Sequence, residues 1–282
     1  MPTIAYLGPE HTYTHVAARS RFGQRAEYRH APTIEDVFRL VEREDADYGV
    51  VPIENSLEGA VTHTLDRFTG FKYSPVQIHG EFERSVKHFF IKYAGVRPSN
   101  IKVVYSHPQA LAQCNRWLQE HFPKIRRWET NSTAEAGEYL CNAEGGGPWG
   151  LRERAAIGRR ELARRGRRLV ATPIPEERDN KTRFLVIGLG EPKRGRRNKT
   201  SILFALKDKP GALHDSLMPF KREKINLTKI ESRPSKRKAW EYLFFIDIEG
   251  HESEPRVKRA LASLKRSTSL LRILGSYPVA AR

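Results

Sequence analysis

Two short stretches carry the residue types that could do chemistry. Val51-Pro52-Ile53-Glu54-Asn55-Ser56-Leu57-Glu58-Gly59 sets a carboxylate, an amide and a hydroxyl where an apolar run ends. Asp179-Asn180-Lys181-Thr182-Arg183-Phe184 sets a hydroxyl, a guanidinium and an aromatic ring in a row before the apolar Leu185-Val186-Ile187. A threonine hydroxyl can donate one directed hydrogen bond, and an arginine can hold a carboxylate bidentately. Such groups suit a small anionic ligand with an oxygen to hold or release. The sequence contains no GxGxxG and no HExxH, and its ten histidines are not paired at metal-ligand spacing.

Strands and helices must bring these stretches together. Thr3–Leu7, Tyr48–Ile53 and Ile101–Tyr105 read as strands, followed by helices over Tyr13–Phe22, about Leu57–Phe68 and Gln109–Gln119. That alternation predicts βαβ units and a parallel sheet. Asn55-x-x-Glu58, Ser106-x-x-Gln109 and Ser132-x-x-Glu135 have the capping-box form, with Thr33-x-x-Asp36 a looser version. Helix N-termini along the edge of an open α/β sheet suit an anion, although each box also reads simply as a cap.

Gly190 to Asn198, rich in Gly, Pro and charge, reads as a linker. After it come a strand (Thr200–Leu206), a turn at Asp208–Gly211, a helix (Ala212–Lys224), and strands over Asn226–Arg233 and Trp240–Glu249 joined by a turn at Pro234–Lys238. A helix (Glu254–Lys265) and a strand (Leu270–Tyr277) complete the order βαββαβ, a ferredoxin-like domain. Gly145-Gly146-Gly147-Pro148 reads as a flexible loop.

The 282 residues predict roughly two domains. No run of 18 apolar residues is present and the N-terminus lacks a signal-peptide pattern, so the expected location is the cytoplasm, away from any membrane. Two cysteines are too few for a disulfide scaffold, and Cys114, inside a helix, reads as a small buried hydrophobe. Fifty basic against 33 acidic residues leave +17, concentrated at Arg152–Arg168, Lys193–Lys199 and Ser235–Lys238. These runs read as solvated faces and linkers. Nucleic-acid binding has only the net charge behind it, and a steep salt dependence of affinity would reveal it.

Taken together, the motifs give the chain a resemblance to the prephenate dehydratase family. Its marks are Tyr6–Glu10, Val51–Gly59 with Leu65-Asp66, Ser106–Cys114, Ser132–Ala134, Ala155–Ile157 and Asn180–Phe184. The tail resembles the ACT regulatory domain through Pro210–Leu213 and Ile230–Pro234. The resemblance implies an α/β fold: a two-lobed catalytic domain like a periplasmic binding protein, with its site in the cleft, plus the ferredoxin-like ACT domain. The expected division is 1–190 for the catalytic domain (lobe one about 1–77 and 172–190, lobe two about 78–171), 191–199 for the linker and 200–282 for the ACT domain.

It also implies a lyase that turns prephenate into phenylpyruvate, water and CO2, with no cofactor and no metal. By resemblance, Thr182 hydrogen-bonds the departing oxygen, Arg183 neutralises a substrate carboxylate, and Glu54 or water supplies the proton. Asn55, Ser56, Gly59, Ser106, His107, Phe184, Pro9 and Thr12 are the expected substrate-binding residues. His107 could instead pack beside Pro108, Gln109 could cap with Ser106, and Phe184 also reads as core. The expected effector is L-phenylalanine, held at an interface between two ACT domains by Gly211, Ala212, Leu213, Asn226, Leu227, Glu231, Ser232 and Arg233. A homodimer or homotetramer follows. A plain dimerisation domain is the alternative for the tail, and a non-catalytic amino-acid sensor the alternative for the chain. The start of the dehydratase strand at Thr3 leaves no room for an added chorismate mutase domain. One departure is His11, where the family commonly has glycine.

Overall fold

The computed structural model describes residues 1–69, 74–142, 147–164, 166, 168–175, 179–206, 209–235 and 241–279. Gly145 and Gly146 of the glycine loop, Arg165 and Arg167, Asp208, and the turn residues 236–238 with Trp240 lie outside them.

In chain order the first elements are β1 (Thr3–Leu7), α1 (Tyr13–Phe22), β2 (Glu27–Ala31), α2 (Ile34–Glu42), β3 (Tyr48–Asn55), β4 (Gly59–Ala60), α3 (Thr62–Thr69) and β5 (Gln77–Ser85). Next come β6 (Phe89–Tyr93), β7 (Val103–Ser106), α4 (Pro108–Gln113), α5 (Asn115–His121), β8 (Arg126–Glu129), α6 (Thr133–Cys141), β9 (Arg154–Gly158), β10 (Leu169–Pro173) and β11 (Lys181–Gly188). The tail holds β12 (Asn198–Leu206), α7 (Ala212–Arg222), β13 (Leu227–Pro234), β14 (Tyr242–Glu249), α8 (Pro255–Ser267) and β15 (Thr268–Pro278).

Three sheets result, ordered β2-β1-β3-β11-β5 with β4 beside β3, β10-β6-β9-β7-β8, and β13-β14-β12-β15. The βαβ segments pair in parallel as their spacing predicts: β1 with β3, and β7 with both β8 and β9. The sheets are nonetheless mixed, because β11 runs antiparallel to β3 and β6 antiparallel to β9 and β10. These strands are joined by long connections rather than by crossover helices, so nothing forces them parallel.

The chain forms two compact units. One is Met1–Tyr6, Phe22–Arg84 and Thr182–Arg282; the other is Leu7–Arg21 and Ser85–Lys181. The chain crosses between them at Tyr6/Leu7, Arg21/Phe22, Arg84/Ser85 and Lys181/Thr182; the expected lobe bounds were about 77 and 171. The tail domain packs with the first sheet in one unit. The expected linker ends early: Asn198 and Lys199 already belong to β12 and are buried.

The tail is a four-stranded antiparallel sheet in the order βαββαβ. α8 buries Val257, Ala260, Leu261 and Leu264, one helical stripe, against Ile202, Phe204, Ile246 and Ile248. α7 starts at Gly211, whose φ of +78 lies in the left-handed region. No atom lies within 4 Å of an added Cβ there, so the demand for glycine is purely conformational. Gly211→Ala therefore costs about 1–2 kcal/mol of stability without a steric clash, measurable by chemical denaturation.

The capping boxes divide. Ser132 Oγ accepts from Glu135 N (3.0 Å) and Thr33 Oγ1 from Asp36 N (3.1 Å), as expected at α6 and α2. At α4 the cap is His107, whose Nδ1 accepts from Gln109 N (3.3 Å). The expected helix over 109–119 breaks at Cys114, which is buried in the core of its sheet. The Asn55-x-x-Glu58 box opens no helix: Asn55 Oδ1 accepts from Leu57 N (2.9 Å), Gly59 turns with φ +83, and β4 folds back on β3 before α3 begins at Thr62. An Asx turn satisfies the same side chain as a cap, and Gly59 at positive φ ends the helical alternative.

Two histidines link the fold to pH. Burial lowers the pKa of His15 and of His79 below the ordinary imidazole value of about 6.5, with Glu10 opposing the shift at His15. His15 Nδ1 accepts from His11 N (2.8 Å), which requires an unprotonated nitrogen. The unfolded chain thus binds protons that the folded chain refuses. Their contribution is fully present above pH 6.5 and is lost as pH falls through the lower folded values. The thermal midpoint declines on acidification below about pH 6.5, and His15→Gln flattens that slope.

Candidate active site

In the first unit, β3 and β11 bring the two chemical motifs side by side. The register pairs Thr182 with Asn55 and Arg183 with Glu54, then slips so that Phe184 meets Pro52. Ile53 is the extra residue of this bulge, which re-aims the strand ends. Asn55 Nδ2 donates to Thr182 Oγ1 at 3.0 Å. The amide orientation is settled by its other end, since Asn55 Oδ1 accepts from the backbone N–H of Leu57. Thr182 Oγ1 is therefore an acceptor from Asn55, and its own proton is directed elsewhere. Both side chains are partly exposed.

Successive residues of a strand point to opposite faces. Thr182 and Asn55 share one face; Arg183 and Glu54 share the other. Arg183 Nε donates to Glu81 Oε2 (2.6 Å), and Nη2 donates to Asp247 Oδ2 (2.6 Å) and meets the Tyr277 hydroxyl at 3.4 Å. Nη1 lies 3.7 Å from Glu54 Oε2. Burial alone would pull the Arg183 pKa down, but Asp247 and Glu81 outweigh it and the net shift is upward. Burial, with Asp247 and Glu81, also holds the Tyr277 phenol well above its ordinary range, so it stays a neutral hydroxyl. Every nitrogen of Arg183 faces a carboxylate of its own chain. Glu54, on the face opposite Thr182, has Lys229 Nζ at 3.1 Å. Phe184 is core, 1% exposed and stacked on Phe82 at 5.6 Å between centroids. Ser56 and Gly59 sit exposed on the β3–β4 turn rather than at a helix start.

The second unit holds the other expected residues. Ser106 is fully buried and donates to Ile157 O (2.7 Å), which ties β7 to β9. With Nδ1 of His107 accepting from Gln109, the neutral ring carries its proton on Nε2, suited to donate to an anion. Pro9 is exposed on the loop after β1. Thr12 Oγ1 donates to Leu7 O (3.1 Å) and accepts from His15 N (3.3 Å), closing the turn into α1. His11 adopts φ +66, the conformation a glycine would take without cost. The basic run is not simply solvated: Arg154 donates to the carbonyls of Trp149, Tyr139 and Asn142, and Arg159 donates to Thr12 O (2.9 Å) over the ring of Tyr13.

In the tail domain, Ala212 and Leu213 open α7 after Gly211, and Asn226 O accepts from Glu249 N (3.0 Å) just before Leu227 begins β13. Along β13, Ile230 and Ser232 are exposed, while Lys229, Glu231 and Arg233 point to the opposite face. Arg233 Nη2 pairs with Asp66 Oδ1 of α3 at 3.0 Å. Glu81, Asp247, Tyr277, Lys199 and Ser201 were not anticipated. Their one signal was a carboxylate, Asp247, inside the apolar run Leu243–Ile248, since a buried charge demands a partner.

Residues 4–192 match the prephenate dehydratase family, and residues 200–266 match the ACT domain. The chain belongs to the prephenate dehydratase family. As a dehydratase of this kind it is a lyase, and the tail is its ACT domain. The chain is 47% identical over 279 residues to the bifunctional chorismate mutase/prephenate dehydratase of Aquifex aeolicus, covering 98% of this chain and 74% of that one. It is 37% identical over 286 residues to the prephenate dehydratase of Methanocaldococcus jannaschii, covering 98% of each. The crystal structure of the Arthrobacter aurescens prephenate dehydratase in complex with L-Phe superposes with a TM-score of 0.85 at 33% identity, over 98% of this chain and 89% of that one. No helix among the described residues is long and apolar enough to cross a membrane.

Proposed function

We propose that the chain dehydrates and decarboxylates prephenate through the Thr182 hydroxyl, held by Asn55, under feedback from L-phenylalanine at the ACT domain. The carrying observation is the 3.0 Å bond from Asn55 Nδ2 to Thr182 Oγ1, which leaves the threonine proton to be donated. In the reaction the ring–carboxylate bond breaks, its electron pair enters the ring, and the ring hydroxyl leaves as water. Thr182 supports the leaving oxygen as a directed donor. A threonine hydroxyl is too weak an acid to give its proton away, so the proton that completes the water comes from solvent. Stabilising charge that develops only as the bond breaks accelerates the step itself.

The ACT reading rests on a built-in unpaired margin. β13 is an edge strand, and Ile230 (48%), Leu213 (36%) and Tyr242 (42%) are exposed apolar side chains of the same domain. An edge strand flanked by apolar surface suits a second copy of the chain. In this reading the effector lies between two ACT domains, near Gly211 to Leu213 and Ser232, and the assembly is a homodimer or homotetramer. Phenylpyruvate absorbance from prephenate, with and without L-phenylalanine, tests the whole reading. Turnover that L-phenylalanine suppresses supports it; no phenylpyruvate removes the dehydratase step. Absence of L-phenylalanine binding by calorimetry leaves the ACT domain with dimerisation alone.

A further inference from the structure

We infer that Arg183 is a positioning residue for Thr182, and that its buried ion network carries the state of the ACT sheet to the Thr182–Asn55 pair. The inference rests on the proposed feedback reading for its regulatory half only.

Three cations and three anions make up the network. Arg183 meets Glu81, Asp247 and Glu54; Lys199 Nζ meets Glu81 Oε1 at 2.6 Å; Lys229 Nζ meets Glu54 Oε1 at 3.1 Å. Ser201 and Tyr277 tie it off, the serine donating to Asp247 Oδ1 at 2.5 Å and lying 2.7 Å from the Tyr277 hydroxyl. Apart from Glu54, at 35%, none of the six ionic side chains is more than 12% exposed. Glu54, Glu81 and Arg183 come from the catalytic sheet; Lys199, Lys229 and Asp247 come from the ACT sheet.

The connection to the site is covalent and short. Arg183 follows Thr182 in β11, Glu54 precedes Asn55 in β3, and the bulge lies at the same rung. A shift of the guanidinium therefore re-aims the two backbone positions that hold the hydroxyl and the amide. On the ACT side, β13 supplies both Lys229, on Glu54, and Arg233, on Asp66. β13 also carries Ser232 and the exposed Ile230, where the proposed effector and second copy would bear on it. Beside the network lies a small cavity of about 20 Å³ lined by Ile53, Leu65, Arg183, Ser201, Lys229 and Asp247. Buried pairs are stable only when complete, so such a junction has discrete states rather than a continuum.

Two variants test the two halves. Arg183→Lys keeps the charge but cannot bridge Glu81 and Asp247 with a fork. We expect kcat to fall about ten- to a hundredfold with KM within about threefold, because the hydroxyl is misplaced while substrate binding persists. A rise in KM larger than the fall in kcat overturns the positioning role and returns Arg183 to substrate binding. If Arg183→Lys fails to fold, Asp247→Asn reads the same split. For the coupling, Lys229→Gln raises the L-phenylalanine concentration for half inhibition about tenfold, with effector binding by calorimetry within about threefold. Inhibition at the wild-type concentration overturns the coupling. If L-phenylalanine neither binds nor inhibits the wild-type chain, the feedback reading fails by itself, and the kcat-against-KM split at Arg183 still decides the positioning role.

Discussion

Thr182→Ala folds normally and loses about a hundred- to ten-thousandfold in turnover, the range for one directed catalytic hydrogen bond or proton transfer. The side chain is partly exposed and packs no core, so its removal opens no cavity. Thr182→Ser, which keeps the hydroxyl, retains most of the activity, and Thr182→Val, which keeps the shape, does not. Asn55→Ala lowers kcat less, because the hydroxyl survives but loses the donor that orients it. Steady-state phenylpyruvate formation reads all four variants. Wild-type turnover in Thr182→Ala removes this hydroxyl from the mechanism.

The second large effect is on stability. Arg183→Met strands Asp247 and leaves Glu81 with Lys199 alone, two carboxylates that face the same guanidinium with little solvent around them. Removing one partner of a buried pair costs about 3–5 kcal/mol, because the remaining charge is left uncompensated. The loss appears as a lowered denaturant midpoint. It is partly recovered in Arg183→Met with Asp247→Asn, which removes one stranded charge. A variant as stable as the wild type would mean that water reaches the network freely.

Much of this architecture was legible. Thr3–Leu7 and the βαββαβ tail announce themselves through apolar runs bounded by Gly, Pro and charge, and each appears within a few residues of its expected place. The pairing of the Asn55 and Thr182 motifs was legible only through family resemblance, since the two side chains are 127 residues apart. Arg183 shows what local reading misses. Its partners Glu81 and Asp247 lie 102 and 64 residues away, so no local pattern reveals them. Strand alternation, however, already points Thr182 and Arg183 to opposite faces of their sheet. Asn55-x-x-Glu58 failed for another reason. An Asx turn and a helix cap use the same side chain, and the choice fell to Gly59 at φ +83.

The place of β11 in the first sheet bears on how the chain is made. It lies between β3 and β5, yet it is encoded about a hundred residues after β5. On the ribosome, the opening strands emerge with the slot between β3 and β5 vacant. They stay incomplete until residue 188 has cleared the exit tunnel. A nascent chain stalled before that point exposes the open edges of β3 and β5, the kind of surface that chaperones cover and aggregates exploit.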